Sequence, residues 1–310
     1  MKEIIFYGYK DYKLNLAVWD EVENPKAVVQ LLHGMAEHIQ RYDDFAKFLN
    51  SKGYIVLGDD HRGHGKTAGL EDLGKVPDGD CFFDTVQDEI LITKYAADTY
   101  KLPVIVFGHS YGSFLTQAYI QRNSGAIAGA VLCGSACQNG IDVKAGKMLS
   151  AVQQTFFGKD APANAIRKMS FGAYDAQFIA ENKEFAWGNR DDKEREKYLA
   201  DPMCNFTLSL GFYKSFFRAL SKIYRSKNLS NIRKDLPIFI ISGDRDPVGG
   251  NGKLVSKLYE MYIDAGLMCV SMKLYPEARH EILNELNKEE VYGDVNDFAE
   301  TCLSILEKSE

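Results

Sequence analysis

Apolar residues along the chain form two kinds of pattern, short runs that are nearly continuous and longer stretches with helical spacing. The runs Ala27–Leu32, Tyr54–Gly58 and Pro103–Phe107 are typical of strands that are buried on both faces of a sheet. Ile4–Tyr9 and Leu14–Trp19 alternate instead, which predicts an antiparallel pair of strands. Helices are predicted between the strands, over residues 42–49, 86–100 and 113–122. Alternating strands and helices indicate an α/β fold with a mostly parallel sheet.

The pattern changes after Gly134, where roughly 95 residues show helical and loop signals but no convincing strand, far more than an ordinary connection. Strand patterns return at Pro237–Ile241 and Cys269–Tyr275, and helices are predicted over residues 252–264 and 291–307. The chain is therefore predicted to have a core domain made of residues 1–134 and 233–310. Residues 135–232 are predicted to form an inserted helical cap.

Composition and charge restrict the class of partner. The 310 residues are 45% hydrophobic with a formal net charge of -6, and no block of lysines or arginines offers a site for nucleic acid or an anionic membrane. The N-terminal segment lacks the apolar core of a signal peptide, and no apolar stretch is long enough to span a bilayer. The six cysteines lie far apart, which favours free, mostly buried thiols. A cytoplasmic protein with a small, neutral ligand is expected.

A serine between two glycines marks the first candidate site. In the segment VIVFGHSYGSF, a buried strand is predicted at Val104–Phe107 and helical spacing begins at Phe114, so Gly108–Gly112 is the turn between them. The glycines remove side chains that would clash in so tight a reversal, and a helix that starts after Ser110 directs backbone N–H groups toward negative charge. These features are typical of a serine nucleophile, whose weak hydroxyl must be exposed and activated.

A serine nucleophile needs a general base and a carboxylate that orients this base. Of the six histidines only His280 follows Ser110, in LYPEARHEILNE, where a loop leaving the last strand would reach the sheet edge that carries the serine. Two aspartates, Asp244 and Asp246, come just after the preceding strand in IFIISGDRDPVGG, and the position of either suits the acid. The sequence therefore predicts a site of serine, histidine and aspartate at the carboxyl edge of the sheet.

A carbonyl under attack by the serine develops negative charge, which two backbone N–H groups must stabilise. The Tyr111 amide, at the start of the helix after the serine, is predicted to be one donor. The loop in LLHGMAEHIQRY follows a buried strand directly, and Gly34 lets its backbone turn so that the Met35 amide faces the same site. His33 in this loop is expected to bond to the backbone.

Five segments carry a family resemblance: HGMAEHIQRY, DDHRGHGKT, GHSYGS, RHEILNE and FAWGNRDDKEREKYLADPMCNF. Together they resemble the α/β-hydrolase superfamily, in its branch of monoacylglycerol lipases and lysophospholipases. The resemblance implies an α/β-hydrolase fold and the chain order serine, acid, histidine. Its Gly-x-x-Asp arrangement after the strand selects Asp246 as the acid, and Asp244 is expected to cap the turn. The chain departs from the branch at Ala36 and Asn205, which stand where glycine is usual.

The resemblance implies a serine ester hydrolase for small lipid esters, a monoacylglycerol or a lysophospholipid. The acidic balance of the chain and the lack of a basic cluster disfavour a phosphate headgroup, so monoacylglycerol is ranked first. Twelve aromatic residues of the cap suit an apolar channel for an acyl chain, although only a minority are expected to face the serine: Phe156, Phe157, Phe171, Tyr174, Phe178, Phe185, Trp187, Phe206, Phe212, Tyr213, Phe216 and Phe217. We expect no cofactor, no metal and no nucleic acid partner, and at most a peripheral membrane contact through the cap; the oligomeric state stays open. The alternatives are a carboxylesterase, thioesterase or peptidase of this fold, or an inactive ligand-binding protein.

Other polar residues near these motifs are not predicted to be catalytic. Four charged residues are expected to be solvated or paired near the mouth of the site: Glu37, Arg41, Arg62 and Glu281. Two aspartates and two histidines of DDHRGH could bind a metal ion, but mutual hydrogen bonds are favoured for this group: Asp59, Asp60, His61 and His64.

Overall fold

The computed structural model describes residues 1–308, whose strands form one eight-stranded sheet. The strands are β1 (Lys2–Tyr7), β2 (Lys13–Trp19), β3 (Ala27–Leu32), β4 (Tyr54–Asp59), β5 (Val104–His109), β6 (Gly129–Cys133), β7 (Ile238–Gly243) and β8 (Val270–Tyr275). Their order in the sheet is β1-β2-β4-β3-β5-β6-β7-β8. β2 runs antiparallel to both β1 and β4, and every other neighbouring pair is parallel. The predicted mostly parallel sheet is confirmed.

Helices flank the sheet and build the segment between β6 and β7. They are α1 (Asp43–Ser51), α2 (Gly65–Ala68), α3 (Cys81–Tyr100), α4 (Tyr111–Asn123), α5 (Ile141–Phe157), α6 (Asn164–Asp175), α7 (Asp192–Ala200), α8 (Leu210–Ile223), α9 (Ser226–Leu229), α10 (Lys253–Asp264) and α11 (Lys288–Glu307). α3 begins five residues before the predicted start, because the adjacent apolar residues Cys81, Phe82 and Phe83 hide the helical spacing of its first turn.

Strand β5 shows why the central strands read as continuous apolar runs. Val106 packs in one buried cluster, together with side chains of α3, α4 and α8. Ile105 and Phe107 pack in another cluster on the opposite face, with side chains of α1 and α11. Because both faces of the strand are covered, the side chains of Val104–Phe107 are all apolar, and the strand ends with Gly108 and His109 at the carboxyl edge of the sheet.

We propose that residues 135–232 form a cap on a core made of residues 1–134 and 233–310, of which 309 and 310 lie outside the described part. Helices α5 to α9 and a 3₁₀ helix at Ala176–Glu181 support the proposal. α8 anchors this cap to the core, since Ser215 Oγ accepts a hydrogen bond from the Phe82 amide at 2.9 Å and Phe216 packs 6.1 Å from the Phe82 ring.

The six cysteines are free, and all except the partly buried Cys269 are buried, as the sequence predicts. Within residues 1–308, every helix is too short or too polar to serve as a membrane span.

Candidate active site

Ser110 lies at the sharp turn between β5 and α4, at the carboxyl edge of the sheet. Its backbone has a φ of 51° and a ψ of -115°, a region that residues with a side chain rarely adopt. A Cβ at Gly108 would overlap the carbonyl oxygen of Gly112, and one at Gly112 would overlap the carbonyl oxygen of Leu32. The close approach of three backbone segments therefore requires both glycines, as the sequence predicts.

Loops after β7 and β8 bring Asp246 and His280 to Ser110. His280 Nε2 lies 2.8 Å from Ser110 Oγ, and His280 Nδ1 lies 2.9 Å from Asp246 Oδ2. Asp246 is fully buried and accepts hydrogen bonds from Ser242 Oγ at 2.9 Å and from the Val248 amide at 2.8 Å. The structure thus places the three side chains named from the sequence in one hydrogen-bonded row.

Burial and charge act in opposite directions on the pKa values of this row. Burial favours neutral His280, but the Asp246 carboxylate outweighs it and raises the pKa of His280 above its usual value. Burial also favours neutral Asp246, yet His280 and the hydrogen bonds from Ser242 and Val248 lower the pKa of Asp246 below its usual value. Asp246 is therefore ionised at neutral pH and holds a proton on His280 Nδ1, which leaves Nε2 free to accept a proton from Ser110.

Asp244, the competing aspartate, makes a different set of contacts. Its Oδ1 accepts a hydrogen bond from the Glu277 amide at 2.7 Å, and its own amide donates to the Tyr275 carbonyl at 3.0 Å. Asp244 therefore ties the turn after β7 to the end of β8, in agreement with the expected turn role.

The Met35 and Tyr111 amides are the two oxyanion donors that the sequence predicts. Met35 and Tyr111 line the same cavity as the serine. In the part of the chain that the structure describes, neither amide donates a hydrogen bond to another group. Both donors named from the sequence are therefore placed at the site with their N–H groups unused.

The loop of residues 33–38, here called the oxyanion loop, is held by hydrogen bonds at both ends. His33 Nδ1 donates to the Gly34 carbonyl at 2.7 Å, and His33 Nε2 accepts from the His61 amide at 3.0 Å, so this histidine bonds to backbone as expected. The Glu37 carboxylate accepts a hydrogen bond from the Gly34 amide at 2.6 Å. These contacts fix the backbone on both sides of the turn that presents Met35.

A cavity that opens to solvent lies over Ser110, which is one of its lining residues. Seven of the twelve cap aromatic residues singled out from the sequence line it: Phe171, Tyr174, Phe185, Trp187, Tyr213, Phe216 and Phe217. The expectation that only a minority face the serine is therefore wrong. Phe171, Tyr174, Phe185 and Trp187 also pack against one another in one apolar cluster, so the same rings line the cavity and form a small core. Tyr198 is a further lining residue that the sequence did not indicate, whereas Phe156 and Phe157 are exposed.

Glu37, Arg41 and Glu281 are paired as expected, but they are not solvated. The two glutamates are 3% and 4% exposed and line the cavity. Arg41 donates to Glu37 and, through two nitrogens at 2.7 Å and 2.9 Å, to both oxygens of Glu281. Arg62 is also buried, away from the cavity mouth, where it pairs with Asp88. Glu37 lies outside any helix, so its spacing of four residues from Arg41 is not a helical pairing pattern, and the sequence gives no local signal for this pairing.

The two departures from the family pattern contact each other. Ala36 and Asn205 both have left-handed backbone, with φ values of 55° and 56°. The Asn205 amide donates to the Ala36 carbonyl at 3.0 Å. Asparagine tolerates this conformation better than alanine, for which it costs roughly 1–2 kcal/mol. The hydrogen bond joins the oxyanion loop to the cap although neither residue is glycine.

Two groups of side chains in residues 1–308 bring three metal-binding atoms within 4.8 Å of one another: His38, Asp201 and Cys204, and Asp59, His61 and Glu89. Neither group includes Ser110. His61 Nδ1 lies 3.0 Å from Asp59 Oδ1 and 3.2 Å from Glu89 Oε1, which is the spacing of an ion pair. Asp60 instead accepts hydrogen bonds from the backbone amides of Ile39, at 2.9 Å, and Lys66, at 2.8 Å. Asp60 thus braces the loop through backbone groups rather than through the neighbouring histidines.

The buried group of Asp59, His61 and Glu89 is expected to make the free energy of unfolding fall as pH rises. Burial and the Asp59 charge raise the pKa of Glu89 from 4.5 to about 8. Burial lowers the pKa of His61, but the two carboxylates outweigh it and raise this pKa from 6.5 to about 10. For both groups the pKa in the folded protein lies above the pKa in the unfolded chain. The protonated group therefore contributes its full stabilisation below the unfolded pKa, and this contribution is lost as pH rises to the folded pKa.

We therefore expect the free energy of unfolding to fall from about pH 4.5, the unfolded pKa of Glu89, to about pH 10, the folded pKa of His61. Urea unfolding at successive pH values measures this slope. Glu89→Gln cannot titrate and is expected to give a flatter curve below about pH 8. The same slope in wild type and variant would show that Glu89 does not hold this proton.

A serine at a tight strand-to-helix turn, with an aspartate and a histidine on loops after the last two strands of a mostly parallel sheet, defines the α/β-hydrolase class. The family model Hydrolase_4, described as serine aminopeptidase, S33, matches residues 23–287, and the chain belongs to this family. The fold and the family inferred from the sequence motifs are both confirmed.

Relatives and solved structures match over nearly the whole chain. A monoacylglycerol lipase of Mycolicibacterium smegmatis is 30% identical over 299 residues, which cover 94% of each chain. The monoglyceride lipase of Homo sapiens is 24% identical over 285 residues and covers 87% of this chain and 84% of its own length. A thermostable carboxyl esterase from Bacillus coagulans, solved with glycerol, has a TM-score of 0.88 at 25% identity, covering 97% of this chain and 98% of the esterase. The chain is a hydrolase in the branch that includes monoacylglycerol lipases.

Proposed function

We propose that the chain is a serine ester hydrolase for small lipid esters, in which Ser110, Asp246 and His280 are the catalytic residues and the Met35 and Tyr111 amides bind the oxyanion. The contact of 2.8 Å between His280 Nε2 and Ser110 Oγ, beside an aromatic cavity, carries this proposal. The reaction class needs an activated hydroxyl and two unused amides, and the site offers both.

In the proposed reaction, Ser110 Oγ attacks the ester carbonyl carbon while its proton moves to His280 Nε2. The resulting oxyanion is stabilised by the amides of Met35 and Tyr111. When the intermediate collapses, the carbon–oxygen bond to the alcohol breaks and His280 returns the proton to the leaving alcohol. A water molecule then gives a proton to His280 and attacks the acyl carbon. The bond between this carbon and Ser110 Oγ breaks, His280 returns the proton to Oγ, and the fatty acid is released.

The lining of the cavity supports an apolar acyl group and a neutral alcohol. Aromatic side chains of the cap dominate the walls, which suits an acyl chain. Among the described residues, no lysine or arginine lines the cavity, and Arg41 is bonded to both Glu37 and Glu281. A phosphate on the leaving alcohol would therefore lack a cationic partner, and we propose monoacylglycerol ahead of lysophospholipid. The names of the relatives support the same substrate class.

The description of the matching family raises a peptidase as the second candidate. An aminopeptidase must bind the ammonium group of its substrate, and a free carboxylate is the natural partner for that group. Glu37 and Glu281 are both bonded to Arg41, so neither lining carboxylate is free for this role. These contacts favour an acyl ester over an amino-terminal peptide.

The proposal includes a cytoplasmic location and at most a peripheral membrane contact through the cap. Met148, Phe156, Phe157 and Ile179 are between 70% and 78% exposed on cap segments. Such apolar side chains support contact with a lipid surface, from which a monoacylglycerol would enter the cavity.

Along a series of p-nitrophenyl esters, kcat/KM is expected to rise with acyl-chain length and then level off. Each methylene buried against the aromatic walls contributes up to about 0.8 kcal/mol to transition-state binding until the cavity is full. Steady-state rates from acetate to laurate, with the Ser110→Ala rate subtracted, measure the profile.

A matched pair of cap variants tests whether the rise of kcat/KM with acyl-chain length depends on the aromatic wall of the cavity. Phe217→Ala removes a lining ring and is expected to flatten the rise, whereas Phe156→Ala removes an exposed ring and is expected to leave it unchanged. A maximum at acetate with a decline toward octanoate would contradict the lipid-ester proposal and leave only an esterase for short acyl groups.

A further inference from the structure

Glu281 is the residue after His280, and its side chain joins three parts of the protein. Arg41 donates to both oxygens of its carboxylate, at 2.7 Å and 2.9 Å. Asn189 Nδ2, on the cap, donates to Oε2 at 3.1 Å. The loop of residues 276–284, here called the histidine loop, is therefore bonded through Glu281 both to Arg41 and to the cap.

Arg41 extends these contacts to the oxyanion loop. It donates to one oxygen of Glu37, and the other oxygen of Glu37 accepts the Gly34 amide at 2.6 Å. Gly34 directly precedes Met35, whose amide is a proposed oxyanion donor. An unbroken series of hydrogen bonds thus connects the backbone beside Met35 to the histidine loop through Glu281.

We propose that Glu281, acting through Arg41, is a positioning residue that holds the oxyanion loop and the histidine loop in the relative position that catalysis requires. This inference rests on the proposed serine-hydrolase function. Residues 33–38 and 276–284 contain neither helix nor strand, so regular backbone pairing does not fix their separation. Misplacing reacting groups by about 1 Å lowers a rate by as much as about 100-fold, even when the change lies away from the chemistry.

A glutamate at position 281 suits this role because the guanidinium of Arg41 donates hydrogen bonds to two buried carboxylates, those of Glu37 and Glu281. Glu281→Gln keeps the size of the side chain, but its amide has only one acceptor oxygen, so the two-point contact with Arg41 is lost. Glu281→Asp keeps the charge on a shorter side chain. The pair of Arg62 and Asp88 supplies a matched control, since it is also buried and two-point, at 2.6 Å and 2.9 Å, and lies outside the cavity lining.

The charge of Glu281 also acts on His280. Asp246 is hydrogen-bonded to the imidazole, the charges of Glu281 and Glu37 also raise its pKa, and the His109 ring lies 5.0 Å from it. Burial lowers the pKa of His280, and the carboxylates outweigh it and raise that pKa. His280 accepts a proton only when neutral, so activity falls as pH falls through this pKa. Removing the Glu281 charge is therefore expected to move the acid limb of the activity profile to lower pH.

The test compares wild type, Glu281→Gln, Glu281→Asp and Asp88→Asn on one p-nitrophenyl ester. Glu281→Gln is expected to lower kcat about 10- to 100-fold, to change KM by less than about threefold, and to move the acid limb to lower pH. Glu281→Asp is expected to recover part of kcat and the wild-type acid limb. Asp88→Asn is expected to lower the free energy of unfolding and leave kcat within about twofold of wild type.

Two results would overturn the inference. One is a Glu281→Gln enzyme with the kcat and acid limb of wild type, and the other is an equal loss of kcat in Asp88→Asn, which would trace the effect to general destabilisation. Should Glu281→Gln fail to fold, Arg41→Lys keeps the charge, loses the two-point geometry and is expected to show the same fall in kcat. Fluorophosphonate labelling of Ser110 separates the two proposals, because an unlabelled wild type refutes the function itself.

Discussion

Ser110→Ala is expected to lower kcat by about 10⁶-fold while the protein remains folded. The variant loses the hydroxyl that lies 2.8 Å from His280 Nε2, so no acyl-enzyme forms. A residual rate above that in buffer is expected, because the Met35 and Tyr111 amides still stabilise an oxyanion formed by water attack. Ester hydrolysis at saturating substrate measures the loss.

The folding of the Ser110→Ala variant is checked on the same purified protein. Urea unfolding of Ser110→Ala is expected to show a transition close to that of wild type, since the hydroxyl contributes one partly buried hydrogen bond. A variant that unfolds normally yet retains more than about a tenth of wild-type kcat would mean that another group is the nucleophile.

Asp246→Asn is expected to lower kcat by about 10⁴-fold. The amide of asparagine donates a hydrogen bond to His280 Nδ1, so the histidine carries its proton on Nε2 and cannot accept one from Ser110. The raised pKa of His280, which depends on the Asp246 carboxylate, is expected to fall as well. Steady-state kinetics across pH measure both effects.

Asp244→Asn is the matched control for this result. The two aspartates lie two residues apart, but the Asp244 carboxylate accepts its hydrogen bond from the Glu277 amide, which an asparagine side-chain oxygen can also do. Its kcat is expected to stay within about threefold of wild type. Equal, modest losses in both variants would show that the acid has been misplaced.

The central strands of the sheet could be predicted from the sequence because strands buried on both faces appear as nearly continuous apolar runs. Ala27–Leu32 has the same bounds in the structure as in the prediction, since both faces of β3 are covered and no polar side chain interrupts its ends. The start of α3 could not be found in this way, because its first turn places three apolar residues side by side.

The site was predictable where its chemistry is local and not where it depends on distant contacts. Ser110 and its two glycines lie within five residues, so the turn is visible in the sequence. The choice between Asp244 and Asp246 needed a family resemblance, since only the folded chain shows the hydrogen bond from Ser242 to Asp246. Arg41 and Glu281 are 240 residues apart, and no local pattern indicates that they meet.

The cap shows a similar limit on sequence prediction. Its composition indicated an apolar channel, but helical spacing in α6 and α8 does not say whether a ring faces the cavity or a neighbouring helix. Phe171 and Phe217 line the cavity, whereas Phe212 packs in the buried cluster that α8 shares with the core. The assignment depends on how the helices are placed relative to Ser110, which is a tertiary property.

The central claim is that Ser110 is the activated nucleophile of a serine hydrolase, and labelling with a fluorophosphonate tests it most directly. The reagent forms a covalent bond only with a serine whose proton is removed by a neighbouring base, so the site predicts one adduct, mapped by peptide mass spectrometry to the segment VIVFGHSYGSF. The adduct is expected to be absent in Ser110→Ala and to form much more slowly in Asp246→Asn. Folded wild-type protein that takes up no label, or takes it up at a residue other than Ser110, would contradict the account.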